Sequence, residues 1–196
     1  MMPLTKLAIL IPTIESRKEQ FNALRDRINK LIESNFDTSV QLISICDNKE
    51  ISIGAKRQQL LEASDARYVV FIDDDDRIHD DYITDILSAI SHQPDFIGFQ
   101  IECSGTPGIT ANVSNAYSDW ADKVDGFDYV RTPYHKTPIK RDIALHIGFK
   151  DMRFGEDYDF SKRLKESGLI QKEYHIDKVL YFYQFKYENP KTKYGL

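Results

Sequence analysis

The sequence predicts an α/β fold: a mostly parallel sheet with helices on both faces and a small antiparallel C-terminal part. Three observations predict it. Apolar runs rich in strand formers alternate with segments whose apolar residues recur at helical spacing. One run, Tyr68-Val69-Val70-Phe71-Ile72, is apolar on both faces, as a strand covered on both sides must be. The alternation continues as far as Cys103, and strands joined through helices are parallel neighbours.

The elements follow in order. Leu7 to Ile11 reads as a buried strand. Ser16 and Glu19 have capping-box spacing ahead of a helix whose apolar face is Phe21, Leu24, Ile28, Leu31 and Ile32. Val40 to Cys46 is a second strand, with Cys46 as a small buried hydrophobe, and Ser52 caps a helix running to about Ala63. Tyr68 to Ile72 is the third strand. Ile83, Ile86, Leu87 and Ile90 mark a helix, and Phe96 to Cys103 a fourth strand. Gly105-Thr106-Pro107-Gly108 is a turn, and Ile109 to Val113 returns antiparallel. The stretch from Asn115 to Tyr134 is aromatic, acidic and loop-like. Lys140 to His146 is a short helix, and Glu156 to Lys165 a longer one ending at Gly168. Tyr174–Ile176 and Val179–Phe185 are closing strands, followed by a loose polar tail from Glu188.

Composition excludes several classes. A chain of 196 residues has room for one core. Its 31 acidic against 26 basic residues give a net charge of −5, so there is no general attraction to nucleic acid or anionic membrane. No apolar run is long enough to span a bilayer. The run Leu7 to Ile11 is too short for a signal-peptide core and ends at Pro12. Two cysteines make no disulfide framework, and a cytoplasmic location is the default expectation.

Ligands of open α/β sheets bind outside the carboxyl ends of the strands, here Pro12–Arg17, Asp47–Glu50 and Asp73–Asp76. The last of these is the most informative. Four carboxylates follow a buried strand, with only Arg77 offsetting them locally. Their repulsion needs an offset, either from solvent around an exposed loop or from a bound cation. On an extended chain, Asp73 and Asp75 would share one side about 7 Å apart, and hard oxygen ligands suit Mg²⁺ or Mn²⁺. A second acidic group, Gly155-Glu156-Asp157-Tyr158-Asp159, opens a helix. There it serves the helix dipole, or keeps a carboxylate ionised as a proton acceptor.

These two sites, with the first strand, resemble family 2 glycosyltransferases of the GT-A fold, from about Lys6 to Tyr183. Ile11-Pro12-Thr13-Ile14-Glu15-Ser16-Arg17 is similar to the family's first-strand motif, and Gly54-Ala55-Lys56-Arg57-Gln58 to the start of a family helix. Phe71 to Ile78 resembles the DxD segment, and Gly155 to Phe160 the later Glu-Asp motif. The resemblance implies one domain over residues 1–196: a nucleotide-binding half at 1–103, an acceptor-binding half at 104–187, and a tail at 188–196. It implies that Pro12, Thr13 and Glu15 line the nucleotide pocket with Arg17 and Asp74, and that Asp47 meets the base. Arg57 would sit near the diphosphate, Asp73 would hold the ribose and join the metal, and Asp75 would be the main ligand of Mn²⁺ or Mg²⁺. Asp157 would be the base and Glu156 its neighbour. His135 or His175 could complete the metal shell, although a surface-loop histidine is the plainer reading of the first and a paired or exposed one of the second. Lys140 and Arg141 either neutralise phosphate or are solvated.

The implied reaction moves one sugar from a nucleotide-diphosphate sugar, a UDP-sugar above all, to a hydroxyl acceptor, with inversion. The acceptor could be a glycan, a lipid-linked sugar, a protein or a modified nucleobase. Tyr117, Trp120, Phe127, Tyr129 and Tyr134 either stack on it or form a satellite core. Ile14-Glu15, Asp47-Asn48-Lys49-Glu50 and Gln58 depart from the family pattern, which bears on base and sugar preference. The Gln-x-x-Arg-Trp pattern of processive synthases is absent, Trp120 being the only tryptophan. Two alternatives are a sugar-nucleotide nucleotidyltransferase and a non-catalytic sugar- or nucleotide-binding module of the same fold. Against the first, Pro12 to Arg17 contains no glycine for a phosphate loop.

Overall fold

The computed structural model describes residues 5–35, 39–104 and 110–184. Strand β1 (Leu7–Ile14) lies between β2 (Val40–Asp47) and β3 (Tyr68–Phe71), parallel to both. Leu7 through Ile11 are fully buried, as an apolar strand flanked and covered must be. Helix α1 (Lys18–Ser34) lays Leu24, Ile28 and Leu31 on the core. The capping box does not form. Ser16 lies within a 3₁₀ turn (Glu15–Arg17), and the Lys18 N–H bonds to the Glu15 carbonyl, so backbone replaces side chain at the helix entry. Helix α2 (Ile53–Ala63) does start at its expected cap: Ser52 Oγ accepts from the Ala55 N–H at 3.0 Å.

The remaining elements are β4 (Arg77–Ile78), α3 (Tyr82–Ile90), β5 (Phe96–Ser104), β6 (Thr110–Val113), β7 (Ala121–Val124), β8 (Phe127–Arg131), β9 (Ile139–Lys140), α4 (Arg141–Ile147), α5 (Glu156–Ser167) and β10 (Glu173–Gln184). They complete one mixed sheet, ordered β2-β1-β3-β9-β5-β6-β8-β7, with β10 beside β5 and β4. The long ladders, β1 with β2 and β5 with β10, are parallel. Antiparallel pairing is confined to shorter strands: β9 against β3 and β5, β6 against β5, β7 against β8, and β4 against β10.

Several expectations are corrected. The segment at 115–134 is not all loop: β7 and β8 form a hairpin turned by Asp125 (φ 53°) and Gly126 (φ 82°), the positive-φ pair of a type I′ turn. The two closing strands are one strand, β10, with register shifts around Val179. Cys46 is exposed, because among the described residues β2 pairs only with β1 and turns that residue outward. The turn expected at 105–108, Ile109, Phe185 and the tail from Glu188 lie outside the described residues. No helix among the described residues is long and apolar enough to cross a membrane.

Candidate active site

The site is assembled at the carboxyl ends of β1, β2 and β3 and at the start of α5. After Ile72 the chain does not stay extended. It turns, with the Asp76 N–H bonded to the Asp73 carbonyl at 3.1 Å. The turn sends its four carboxylates in different directions, so Asp73 and Asp75 do not share one side of a strand.

Each carboxylate meets a different environment. Asp73 takes Arg57 Nη2 on Oδ1 at 2.9 Å and Lys136 Nζ on Oδ2 at 2.7 Å. Burial works to raise its pKa, but Lys136 and Arg57 together hold it well below the usual carboxylate range. Asp74 is buried and accepts from Thr13 Oγ1 at 2.7 Å and Arg17 Nη1 at 2.8 Å. Asp75 keeps 19% of its side chain exposed, has Arg17 Nη1 3.3 Å from Oδ2, and borders a cleft of about 720 Å³. Asp76 is buried. It accepts from Lys136 Nζ and Tyr181 Oη, each at 2.5 Å, and from the Gln184 N–H at 2.8 Å. Burial pushes its pKa up, with the charge of Asp73 adding to the rise.

Three cations from other parts of the chain, Arg17, Arg57 and Lys136, therefore offset the run. Arg77, its neighbour in sequence, instead lies 5.8 Å from the Phe182 ring. Lys136 is the residue that the sequence reading misses. Its segment enters the sheet between β3 and β5, where the His135 carbonyl accepts from the Phe71 N–H at 2.9 Å and β9 pairs with both strands.

Arg57 joins the two acidic groups. It sits on α2 with 4% of its side chain exposed, and its Nε lies 3.3 Å from Glu156 Oε1 while Nη2 holds Asp73. Glu156 is buried, and burial raises its pKa, with the charge of Asp157 pushing the same way. Asp157 is half-buried and accepts its neighbour Tyr158's N–H at 2.8 Å. Its charge acts on both Arg57 and Tyr134. Gly155, at φ 74°, makes the left-handed entry to α5. The loop before it is pinned to α2. Ser52 Oγ donates to Asp151 at 2.5 Å, Gln58 Oε1 accepts from the Phe149 N–H at 2.8 Å, and the Gly54 N–H bonds to the Met152 carbonyl at 3.0 Å. A Cβ at Gly54 would lie 2.0 Å from the Lys150 carbonyl, so only glycine allows this approach.

Two polar groups in the pocket lack protein partners. Arg57 Nη1 is buried without a hydrogen bond, and so are both ring nitrogens of His135. Nε2 of that ring stands 3.7 Å from Asp73 Oδ2, too far for a hydrogen bond. His135 is thus no surface-loop residue. Burial, with Arg57 nearby, pushes its pKa down to about 4, leaving a neutral imidazole with one donor and one acceptor. Orphaned buried groups of this kind point to a ligand that completes them.

The other expected residues divide. Thr13 is buried beneath the turn, and Pro12 is buried in β1 beside Ile45. Asp47 ends β2 with Oδ1 on Lys56 Nζ and Oδ2 accepting the Ile51 N–H at 3.0 Å. Burial works to raise the pKa of Asp47, but Lys56 lowers it on balance. Glu15 is exposed and accepts from Cys46 Sγ at 3.4 Å. Lys140 pairs with Asp95 at 2.6 Å, away from the turn. His175 does not join the aspartates: it pairs with Glu173 at 3.3 Å, level with Gly98 of β5. Trp120 donates Nε1 to Ser161 Oγ of α5 at 3.0 Å and meets Tyr134 and Tyr158 edge-on. That makes a packed aromatic wall beside Asp157's helix. Tyr117 accepts from Asn112 and Tyr129 lies under Arg131, both part of the satellite packing.

Among the described residues no three His, Cys, Asp or Glu side chains converge on a metal position. Mg²⁺ and Mn²⁺ do not need such a cage when phosphate oxygens and waters complete the shell around one carboxylate. Asp75, beside the open cleft, fits that requirement. Asp73 would fit it only by releasing Lys136.

A family model described as glycosyl transferase family 2 matches residues 19–161. Among solved structures, S. aureus TarS 1–349 superposes with a TM-score of 0.65 at 15% identity, covering 92% of this chain and 60% of that one. The same fragment in complex with UDP-GlcNAc gives 0.67 at 13% identity, covering 96% and 61%. Its complex with UDP gives 0.64 at 14%, covering 93% and 61%. At these identities the likeness is one of fold, and this chain spans about three fifths of that fragment. No curated protein matches the sequence.

Proposed function

The chain belongs to glycosyl transferase family 2 and has the GT-A fold, and from that premise we propose that it transfers one sugar from a UDP-sugar to a hydroxyl acceptor, inverting the anomeric configuration. The observation that carries the reading is Arg57, whose one guanidinium touches Asp73 at the strand end and Glu156 at the helix start. A donor-holding group and the neighbour of the proton acceptor Asp157 are thus held by the same cation, which supports one pocket for both. The UDP-GlcNAc and UDP complexes of TarS add support for uridine as the base.

In this reading the donor's ribose hydroxyls donate to Asp73, whose carboxylate Lys136 and Arg57 keep ionised. The unpartnered Arg57 Nη1 and the neutral His135 ring take the diphosphate and sugar oxygens. Asp47 and Thr13 line the nucleotide end of the pocket. A Mn²⁺ or Mg²⁺ ion held by Asp75 and the phosphates would supply Lewis-acid neutralisation of the departing diphosphate, worth several kcal/mol. Asp157 accepts the proton of the acceptor hydroxyl as that oxygen attacks the anomeric carbon from the face opposite the diphosphate. Glu156, tied to Arg57, fixes the start of α5 and so the position of Asp157. Trp120 and Tyr158 give the acceptor side an aromatic wall.

The test is a panel of nucleotide sugars with Mn²⁺, reading released nucleoside diphosphate and the transferred product. UDP release with sugar transfer is expected. Pyrophosphate as the product would sink the proposal. Asp157→Asn should keep donor affinity and lose about 10²–10⁴-fold in turnover. Full turnover in that variant would remove Asp157 from the role of base.

A further inference from the structure

Lys136 is a buried cation whose second carboxylate, Asp76, the transfer chemistry does not use. Its side chain is 7% exposed, and Nζ stands 2.7 Å from Asp73 Oδ2, 2.5 Å from Asp76 Oδ2 and 3.2 Å from Tyr181 Oη. The rings of Tyr181 and Tyr183 lie with their centroids 4.7 and 4.4 Å from the same nitrogen. Tyr181 Oη in turn donates to Asp76 Oδ2 and accepts the Asp73 N–H at 3.2 Å. The aspartate turn therefore closes around an ammonium with two carboxylates, a phenol oxygen and two π faces about it. Each is a group that favours positive charge. Asp73 and Asp76, among other groups, hold that charge in place, lifting the Lys136 pKa well above its ordinary value against the cost of burial.

We infer that Lys136 is the resident counter-cation of the aspartate turn, occupying between Asp73 and Asp76 the place that a divalent ion would otherwise take. With those two carboxylates committed, a metal meets only Asp75, and one carboxylate is too few to hold Mg²⁺ or Mn²⁺ without phosphate oxygens. The lysine thus makes metal binding conditional on the nucleotide. The coupling is reciprocal, because whatever the nucleotide adds to metal affinity the metal adds to nucleotide affinity. Lys136 touches neither donor nor acceptor in this account and is a positioning residue. The nucleotide half rests on the transfer reading above; the competition between lysine and metal does not.

The experiment is calorimetric titration of Mn²⁺ into the donor-free protein and into Lys136→Met, each repeated with UDP. Wild type should bind Mn²⁺ alone at least about tenfold more weakly than Lys136→Met, in which half-buried Asp73 and buried Asp76 both lose the ammonium between them. UDP should raise wild-type Mn²⁺ affinity by about 5- to 150-fold, and the variant's by less. A wild type that binds Mn²⁺ alone as tightly as the variant overturns the inference, as does a folded variant whose Mn²⁺ affinity UDP raises as much as it raises wild type's. If Lys136→Met does not fold in metal-free buffer, Mn²⁺ must restore its melting transition, and adding Asp76→Asn must restore folding without metal. Failure of either rescue overturns it too. The Mn²⁺-only arm involves no donor, so its failure is distinct from a failure to find sugar transfer.

Discussion

Replacing Arg57 with methionine separates the two acidic groups that the site depends on. The guanidinium is 4% exposed and lies 2.9 Å from Asp73 and 3.3 Å from Glu156. Removing one partner of a buried pair costs about 3–5 kcal/mol, because a charge is left without compensation. Asp73 keeps Lys136 at 2.7 Å, so most of that cost falls on Glu156, whose side chain is 8% exposed. Glu156 can escape by taking a proton. From an unfolded pKa of about 4.3, that costs roughly 3–4 kcal/mol at pH 7. The expected loss at pH 7 is therefore about 3–4 kcal/mol. Its pH dependence has a definite sign. Burial and Asp157 already raise the Glu156 pKa, and losing Arg57 raises it further. A carboxyl whose folded pKa exceeds its unfolded one contributes stability at low pH that is lost as pH rises through the folded value. The variant's deficit should thus shrink from pH 7 towards pH 5, by up to about 1.4 kcal/mol per pH unit. Asp73 adds no slope there. Its pKa is depressed, so its contribution is present throughout that range and is lost only as pH falls through the folded value, below about 3.9. Urea melts of wild type and Arg57→Met at pH 5, 6, 7 and 8 measure this. A deficit under about 1 kcal/mol at pH 7, or one that is constant with pH, would refute the bridge.

Two further changes test neighbouring parts of the site. Asp75→Ala should abolish the Mn²⁺-dependent component of UDP binding and leave the metal-free affinity unchanged, as read by calorimetry with and without Mn²⁺; an undiminished Mn²⁺ effect would move the metal to another carboxylate. Gly54→Ala puts a methyl 2.0 Å from the Lys150 carbonyl, so the loop that carries α5 must shift. Thermal melts should show about 1–3 kcal/mol of destabilisation, and transfer should fall further than stability alone requires. An unperturbed melt would mean that the loop yields freely.

What the sequence makes legible, and what it hides, follows from how local each signal is. The strands β1, β2, β3 and β5 and the helices α1, α3 and α5 carry their own apolar periods, and α2 its Ser52 cap, so they can be read one window at a time. Strand β9 has two residues and no period; it exists because β3 and β5 leave a gap between them. The β7–β8 hairpin had a signal, Asp125-Gly126 between Val124 and Phe127, which a reading of the segment as aromatic loop passes over. The site divides in the same way. Carboxylates that follow a buried strand, or open a helix, announce themselves by position. The cations that meet them do not. Arg17 comes from the turn after β1 and Arg57 from α2, and only the family resemblance singles them out; Lys136, from the segment before β9, is singled out by no local pattern among 26 basic residues. An acidic run at a strand end states how much charge must be offset, not what offsets it. Solvent and a metal ion are two candidates, and this fold uses a third, its own cations, of which Arg57 and Lys136 are buried. That choice keeps Asp73 ionised without a metal, ties Asp74 and Asp76 into the scaffold, and leaves Asp75 as the carboxylate of the run with both exposure and a bordering cleft. Four adjacent aspartates, alike in sequence, are thereby given different tasks by partners that only the fold brings together.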